Sequence, residues 1–348
     1  MRDTERSIRV ALVGCGYWGP NLARNFHQIP GSDLVACCDL NQQALEKMGR
    51  LYPSARVTDD FASICEDETI DAVAIATPAR THYVLAKAAL QSGKHVLVEK
   101  PLALSTREAS ELVTLAEEHS RVLMVGHIFQ YNPAVRYIKQ LIDQGALGQI
   151  YYLYSTRVNL GRVQSDINAL WSIAPHDISI LIYLLGAEPE WVSARGATYL
   201  TDGIEDVVFI DLGFPGGILA HVHVSWLDPS KVRRMTIVGS KQMVVYDDVA
   251  DEGKVKLYEK GVYRKGEPGF GEFQYRVHSG AIMIPKLDLV EPLRVECEHF
   301  IACIREGRRP ETDGVNGLQV VRILEIAQAS LKAGGEPKRI QEVEASCL

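Results

Sequence analysis

Short apolar runs alternate with amphipathic stretches through the first 150 residues. Residues 8–13, 34–38, 72–76, 95–98 and 122–125 are brief and rich in β-branched side chains. Several carry no polar alternation, which predicts strands buried on both faces of a parallel sheet. Between them, 21–28, 42–51, 81–92 and 106–119 repeat their apolar positions at helical spacing. Ser105 precedes the last of these with Glu108 three residues on, the spacing of a capping box. Strand and helix in alternation predict a doubly wound sheet covered by crossover helices.

The segment 133–144 reads as a further helix, stopped at Gly145, and after it the texture changes. Strand patterns then follow one another at 151–158, 192–198, 207–212, 218–226, 234–238 and 243–246, interrupted by one helix at 175–185 that opens on Pro175. Strands consecutive in sequence predict a large, open, mostly antiparallel sheet. Helices at 293–306 and 316–332 close the chain, and the Gly- and charge-rich stretch 251–285 matches no template. The expected division is an N-terminal parallel α/β domain at 1–130 and a C-terminal α/β domain at 131–348, and a chain of 348 residues is long enough for two cores.

Composition narrows the function. With 47% hydrophobic and 23% charged residues the chain is of the globular class. A net charge of -7 argues against a nucleic-acid partner, which calls for a clustered basic face. Lys231, Arg233 and Arg234 read as protection of a strand edge. The charged start, residues 1–9, leaves no room for the apolar core of a signal peptide. No apolar run approaches the ~20 residues of a membrane span, so a cytoplasmic location with no membrane partner is expected. The seven cysteines contain no CxxC pair and read as reduced, buried thiols. His221 and His223 share a strand face without a companion ligand at metal spacing, so no metal site is expected.

Three motifs carry chemistry. Gly14-Cys15-Gly16-Tyr17-Trp18-Gly19 follows the first strand and opens a helix, the context of a dinucleotide-binding Rossmann fingerprint. Gly14 makes the tight turn, Gly16 lets backbone approach a pyrophosphate, and Gly19 lets helix pack on strand. The helix N-terminus then offers unpaired N–H groups to the phosphates. Asp39 lies twenty positions after Gly19 at the end of the second strand, placed to accept the ribose hydroxyls. Leu40 and Asn41 follow it rather than arginine, which favours NAD over NADP.

Glu99-Lys100-Pro101 ends the fifth apolar segment, where open parallel sheets bind their ligands, so Lys100 falls where a nicotinamide would lie. Ala174-Pro175-His176-Asp177 opens the helix of the second domain, and its histidine is a candidate acceptor for a hydroxyl proton while hydride leaves the carbon. Arg157, Asn159 and Arg162 precede that helix and are candidates to clamp an anionic substrate group, with solvent exposure an equal account of them.

Taken together with Ala76-Thr77-Pro78, His82, Tyr131-Asn132-Pro133 and Ser225-Trp226-Leu227, these motifs resemble the glucose-fructose oxidoreductase, inositol dehydrogenase and MocA family over nearly the whole chain. The resemblance implies that Lys100 orients the substrate hydroxyl, commonly with a cis peptide before the proline, and that His176 accepts its proton. It implies that Tyr17, Trp18, Thr77, Pro78, His82 and Glu99 sit beside the cofactor, that Tyr131 meets the substrate, and that the open sheet makes homodimer or homotetramer contacts. Many members carry aspartate four residues before the histidine, where Ser172 stands here. A hydroxyl cannot supply that charge, so Asp177 joins Lys100 and His176 as a candidate in proton handling.

The run 168–176, with Tyr17-Trp18, looks most like members of nucleotide-sugar pathways. That likeness implies hydride transfer at a hydroxyl carbon of a sugar or nucleotide sugar, at C3 of a UDP-linked N-acetylated uronic acid. Two other readings share the fold: NAD-assisted cleavage of a glycoside, and a non-catalytic sensor of sugar or dinucleotide. Retention of both Lys100 and His176 counts against the sensor.

Overall fold

A computed structural model of the chain describes residues 6–161, 163–265 and 274–340. It contains two compact units, Met1–Tyr131 with Val290–Arg322, and Asn132–Leu289 with Ile323–Leu348. The division at 1–130 and 131–348 placed 290–322 with the second domain, whereas in the structure the chain returns there to pack with the first. An amphipathic helix carries no mark of which sheet it will cover.

The first unit holds β1 (Ile8–Val13), α1 (Gly19–Gln28), β2 (Ser32–Cys38), α2 (Gln42–Leu51), β3 (Arg56–Thr58), α3 (Ala62–Glu66), β4 (Ala72–Ile75), α4 (His82–Gln91), β5 (His95–Glu99), α5 (Thr106–Glu118) and β6 (Leu123–Gly126). Six parallel strands lie in the order β3-β2-β1-β4-β5-β6, the doubly wound arrangement. The apolar runs read as strands buried on both faces are so: all four residues of β4 and of β6 are buried. The three-residue β3 and five-residue α3 went unread, being too short to show a period.

The second unit holds α6 (Pro133–Asp143), β7 (Ile150–Val158), α7 (Ala169–Leu185), β8 (Trp191–Ala197), β9 (Val207–Phe214), β10 (Ile218–Ser225), β11 (Val232–Gly239), β12 (Met243–Asp247), β13 (Val255–Lys265) and β14 (Gln274–Met283). After it come α8 (Pro292–Glu306), which belongs to the first unit, α9 (Gly314–Lys332), along which the chain passes to the second, and the short β15 (Lys338–Arg339). Nine strands lie in the order β14-β13-β12-β11-β7-β10-β9-β8-β15, antiparallel except for the central β7–β10 pair. Residues 251–285, which matched no template, contain the antiparallel β13–β14 pair. Alternation along β7 and β9 leaves one face covered by α7 and the other open, with Tyr152, Tyr154, Phe209 and Leu219 exposed on these strands and β10. No helix among the described residues is long and apolar enough to cross a membrane.

The helix read as starting at Pro175 starts at Ala169, six residues earlier, with Asn168 as its cap accepting the Trp171 N–H at 3.1 Å. Pro175 therefore lies inside α7, where it lacks the N–H that would bond Trp171 O. Burial of thirteen of the seventeen residues offsets a proline cost of about 3 kcal/mol.

Candidate active site

The first unit gathers its candidate residues at the C-terminal ends of its strands. Gly14 has φ +95°, and a Cβ there would stand 2.6 Å from the Ala76 carbonyl. A Cβ on Gly19 would stand 2.0 Å from Gly14 O, so both positions demand glycine. Gly16 meets nothing within 4 Å, which leaves its backbone open to a phosphate group. This turn fits a dinucleotide. Tyr17 is 86% exposed beside it, and Trp18 packs inward against the core.

Asp39 is held by two backbone donors, the Cys15 N–H at 2.6 Å on Oδ2 and the Asn41 N–H at 2.8 Å on Oδ1. Asn41 in turn caps α2 through the Gln43 and Ala44 N–H groups. The carboxylate is thus oriented before any ligand arrives, with lone pairs left for hydroxyl donors.

His82, almost wholly buried, links the two loops that follow β4 and β5. Its Nδ1 lies 2.7 Å from Pro101 O and its Nε2 2.9 Å from Thr77 O. Two carbonyl partners would favour the doubly protonated ring, yet burial outweighs them and lowers the pKa. Thr81 Oγ1 lies 2.8 Å from both Thr77 Oγ1 and Pro78 O, closing the first of these loops. The Lys100–Pro101 peptide is cis, and the Lys100 N–H donates to Glu99 Oε2 at 3.3 Å.

Tyr131 was expected to meet substrate. Its side chain is 1% exposed, sits in the core of the first unit, and bonds Thr312 Oγ1 at 3.0 Å. A larger cavity of about 310 Å³ in this unit opens beside His95 and Leu123, at the opposite, N-terminal ends of β5 and β6, away from the glycine turn.

The second unit builds a polar cavity of about 190 Å³ around His176. Because α7 starts at Ala169, Ser172 lies one helical turn before His176 on the same face, and both line the cavity. Arg157 and Asn159 from the end of β7, Trp226 after β10 and Arg233 on β11 complete its polar wall. The sequence pattern placed Arg233 on a solvated edge; pairing of β11 with β7 brings it opposite Arg157 instead. Arg162 lies outside the described residues.

Asp177 does not line this cavity. Its carboxylate accepts Ser155 Oγ–H at 2.5 Å, Arg157 Nε–H at 2.5 Å and Arg157 Nη2–H at 3.3 Å, with both ion-pair side chains under a tenth exposed. Its three hydrogen bonds make Asp177 the fixed support of Arg157. Asp206, which no motif singled out, supports the far wall in the same way. It accepts the Trp226 indole N–H at 2.5 Å and the backbone N–H groups of Tyr199 and Leu200, which hold its pKa below the usual carboxylate range against desolvation. On the open sheet face His221 Nδ1 lies 2.7 Å from Asp211 Oδ1 and the His223 ring stacks on Phe209, so this pair belongs to a polar sheet face.

Comparison with known proteins bears on both units. Residues 8–127 match the model of an oxidoreductase family with an NAD-binding Rossmann fold. Residues 135–245 match that of the GFO/IDH/MocA C-terminal domain. The chain is 30% identical to the UDP-N-acetylglucosamine 3-dehydrogenase of Acidithiobacillus ferrooxidans over 90% of its own length and 94% of that protein's. It is 29% identical to the NAD(+)-dependent scyllo-inositol 2-dehydrogenase of Bacillus subtilis, covering 88% of this chain and 89% of the other. A solved structure of the A. ferrooxidans enzyme superposes with a TM-score of 0.78 over 94% of this chain and 98% of that one, at 28% identity. Levoglucosan dehydrogenase in complex with NADH shares the fold, with a TM-score of 0.81 at 22% identity over 96% of this chain and 99% of that one.

Proposed function

The chain belongs to the GFO/IDH/MocA family of NAD-binding oxidoreductases, and from that premise we propose that it oxidises a ring hydroxyl of an anionic sugar, a nucleotide sugar or sugar acid, by hydride transfer to NAD. The observation that carries the substrate class is the cavity around His176, where Arg157 and Arg233, each also paired with an aspartate, Asp177 and Asp248, share a wall with Asn159. Two arginines at one cavity suit a carboxylate or phosphate better than a neutral polyol. The relatedness to a UDP-N-acetylglucosamine 3-dehydrogenase supports position C3 of a UDP-linked N-acetylated sugar or its uronic acid.

Bound NAD supplies the hydride acceptor. The glycine turn and the N-terminus of α1 would hold its pyrophosphate, and Asp39 would take its ribose hydroxyls. Lys100 orients the hydroxyl that is oxidised, with its loop fixed by His82. His176 accepts the hydroxyl proton. Ser172 lines the same cavity without a negative charge. Asp177 acts at one remove by holding Arg157 to the cavity wall. The open sheet face, with its exposed Tyr152, Tyr154, Phe209 and Leu219, supports a homo-oligomer formed through that face.

The test is an absorbance scan at the NADH band of purified protein with NAD, with a panel of UDP-sugars, free uronic acids and neutral polyols. NADH formation with an anionic member and none with polyols is expected. Turnover of polyols alone overturns the substrate class, and sugar release without net NADH selects glycoside cleavage.

A further inference from the structure

The cavity of about 310 Å³ in the first unit lies at the far end of β5 from Lys100, and the proposed reaction leaves it unused. Its walls come from α5, the start of β6, the loop after α8 and the start of α9, all within that unit. Val113, Ala116, Leu123, Pro310 and Val315 give it an apolar lining. The lining is closely packed where α9 begins: a Cβ on Gly314 would stand 2.7 Å from Leu123 Cδ2 and 3.1 Å from Val113 Cγ2. A cavity of about 150 Å³ holds one benzene ring, so this one has room for a body of two rings.

Its polar rim holds two donors in conflict. Half-buried His95, the first residue of β5, has an N–H aimed at each ring nitrogen, the Val122 backbone N–H at 3.0 Å from Nδ1 and the Arg121 Nη1–H at 3.5 Å from Nε2. A neutral imidazole accepts at one nitrogen and carries its proton on the other. The shorter backbone contact takes Nδ1, so the proton sits on Nε2, opposite the guanidinium. Burial and then Arg121 bring the ring pKa down to about 4, which keeps the ring neutral near pH 7. Two N–H groups therefore face each other, and what both require is an acceptor. Arg121 pairs with no carboxylate among the described residues, whereas Arg308 and Arg309 turn Nε toward Glu306 and Asp313.

We propose that this cavity is a second ligand site, for a small molecule made of an apolar body and a single carboxylate. The carboxylate accepts the His95 Nε2–H and the Arg121 Nη1–H, and the body lies on the apolar lining. One anionic group balances the one guanidinium that has no acid of its own. Glu117 and Asp313 also line the cavity, so a phosphate dianion would meet like charge there. The strand His95–Glu99 separates the site from the loop of Lys100 by roughly 13 Å, at about 3.3 Å per residue. The ligand and a dinucleotide at the glycine turn therefore occupy opposite ends of the sheet and can be bound together.

Naphthoate is the probe, with naphthylmethanol as its neutral counterpart and inorganic phosphate as an anion without a body. Titration calorimetry of the whole protein at pH 7 should show one naphthoate site, with naphthylmethanol and phosphate each bound about tenfold or more weakly. Arg121→Gln changes an exposed side chain and should weaken naphthoate by about tenfold or more. A long-range ¹H–¹⁵N spectrum should show the His95 proton on Nε2, the signal being recognised by its loss in His95→Asn, and naphthoate should shift that nitrogen. Saturating NADH should leave the naphthoate affinity within about twofold. No naphthoate binding at millimolar concentration, equal affinity for naphthylmethanol or phosphate, an affinity unmoved by Arg121→Gln, or displacement by NADH overturns the site. None of these readouts involves the sugar panel, so this site and the substrate class stand or fall separately.

Discussion

Asp39 Oδ2 accepts the backbone N–H of Cys15 at 2.6 Å, tying the end of β2 to the glycine turn after β1. One carboxylate therefore orders the glycine turn and keeps lone pairs for hydroxyl donors. Asp39→Ala should weaken NADH binding about tenfold or more, since hydrogen bonds to a charged group contribute roughly 1.5–3 kcal/mol. It should weaken NADPH less, because the negative charge facing a 2′-phosphate is gone. Fluorescence titration with both dinucleotides checks this; equal loss for the two would reject the ribose assignment.

Lys100 and His176 are assigned to the chemical step rather than to cofactor affinity. Lys100→Ala and His176→Asn should each lower kcat by about 10²–10⁴. The Kd for NADH should stay within about threefold of wild type, since neither side chain is assigned to the dinucleotide phosphates or ribose. Steady-state rates with the active member of the sugar panel, beside NADH titrations, separate the two effects. Turnover at the parental rate in Lys100→Ala would sink the mechanism.

The Arg157–Asp177 pair is enclosed, with side chains 7% and 2% exposed. Asp177→Leu strands a buried guanidinium and should cost about 3–5 kcal/mol. The double variant Arg157→Met, Asp177→Leu should regain most of that stability while losing turnover of anionic sugars. Urea denaturation of the three proteins is the measurement, and a double variant no more stable than the single one would contradict the buried-charge account.

His95 accepts the Val122 N–H at 3.0 Å, and burial, with Arg121 next, lowers its pKa to about 4. The unfolded chain takes up this proton near pH 6.5 and the folded chain resists until about 4, so the group's contribution to stability is lost as pH falls through that window. Glu99, raised to about 7, works in the opposite sense, weakening the fold as pH rises from about 4.5. The difference between proteins isolates the histidine: from pH 7 to 4.5 the urea midpoint of His95→Asn should fall less than that of wild type. An equal fall in both would refute the assignment.

On the open sheet face the Tyr152 and Tyr154 rings stack at 6.4 Å, and Phe209 lies 4.5 Å from the His223 ring. Replacing Tyr154 and Phe209 together by aspartate should convert an oligomer to monomer in size-exclusion chromatography with light scattering. Retention of the wild-type mass would place the contact elsewhere.

The sequence by itself determined a great deal here, wherever the physics is local. A stretch sealed on both faces must be apolar, so residues 10–13 of β1, all of β4 and residues 96–98 of β5 were legible. A turn that forbids a Cβ must be glycine, so the tight turn after β1 could be read from Gly14 and Gly19. Partnership across the chain was decided only by tertiary structure. Arg157 could not be seen to spend its charge on Asp177, nor Arg233 to stand opposite it, until β7 paired with β11 and packed on α7. Pro175 looked like a helix start because proline favours the first turn, and only burial of the preceding apolar residues extended α7 back to Ala169. The cavity beside His95 lay hidden for the same reason: its walls come from α5, β6 and the loop after α8, segments far apart in the chain that meet only in the packed unit.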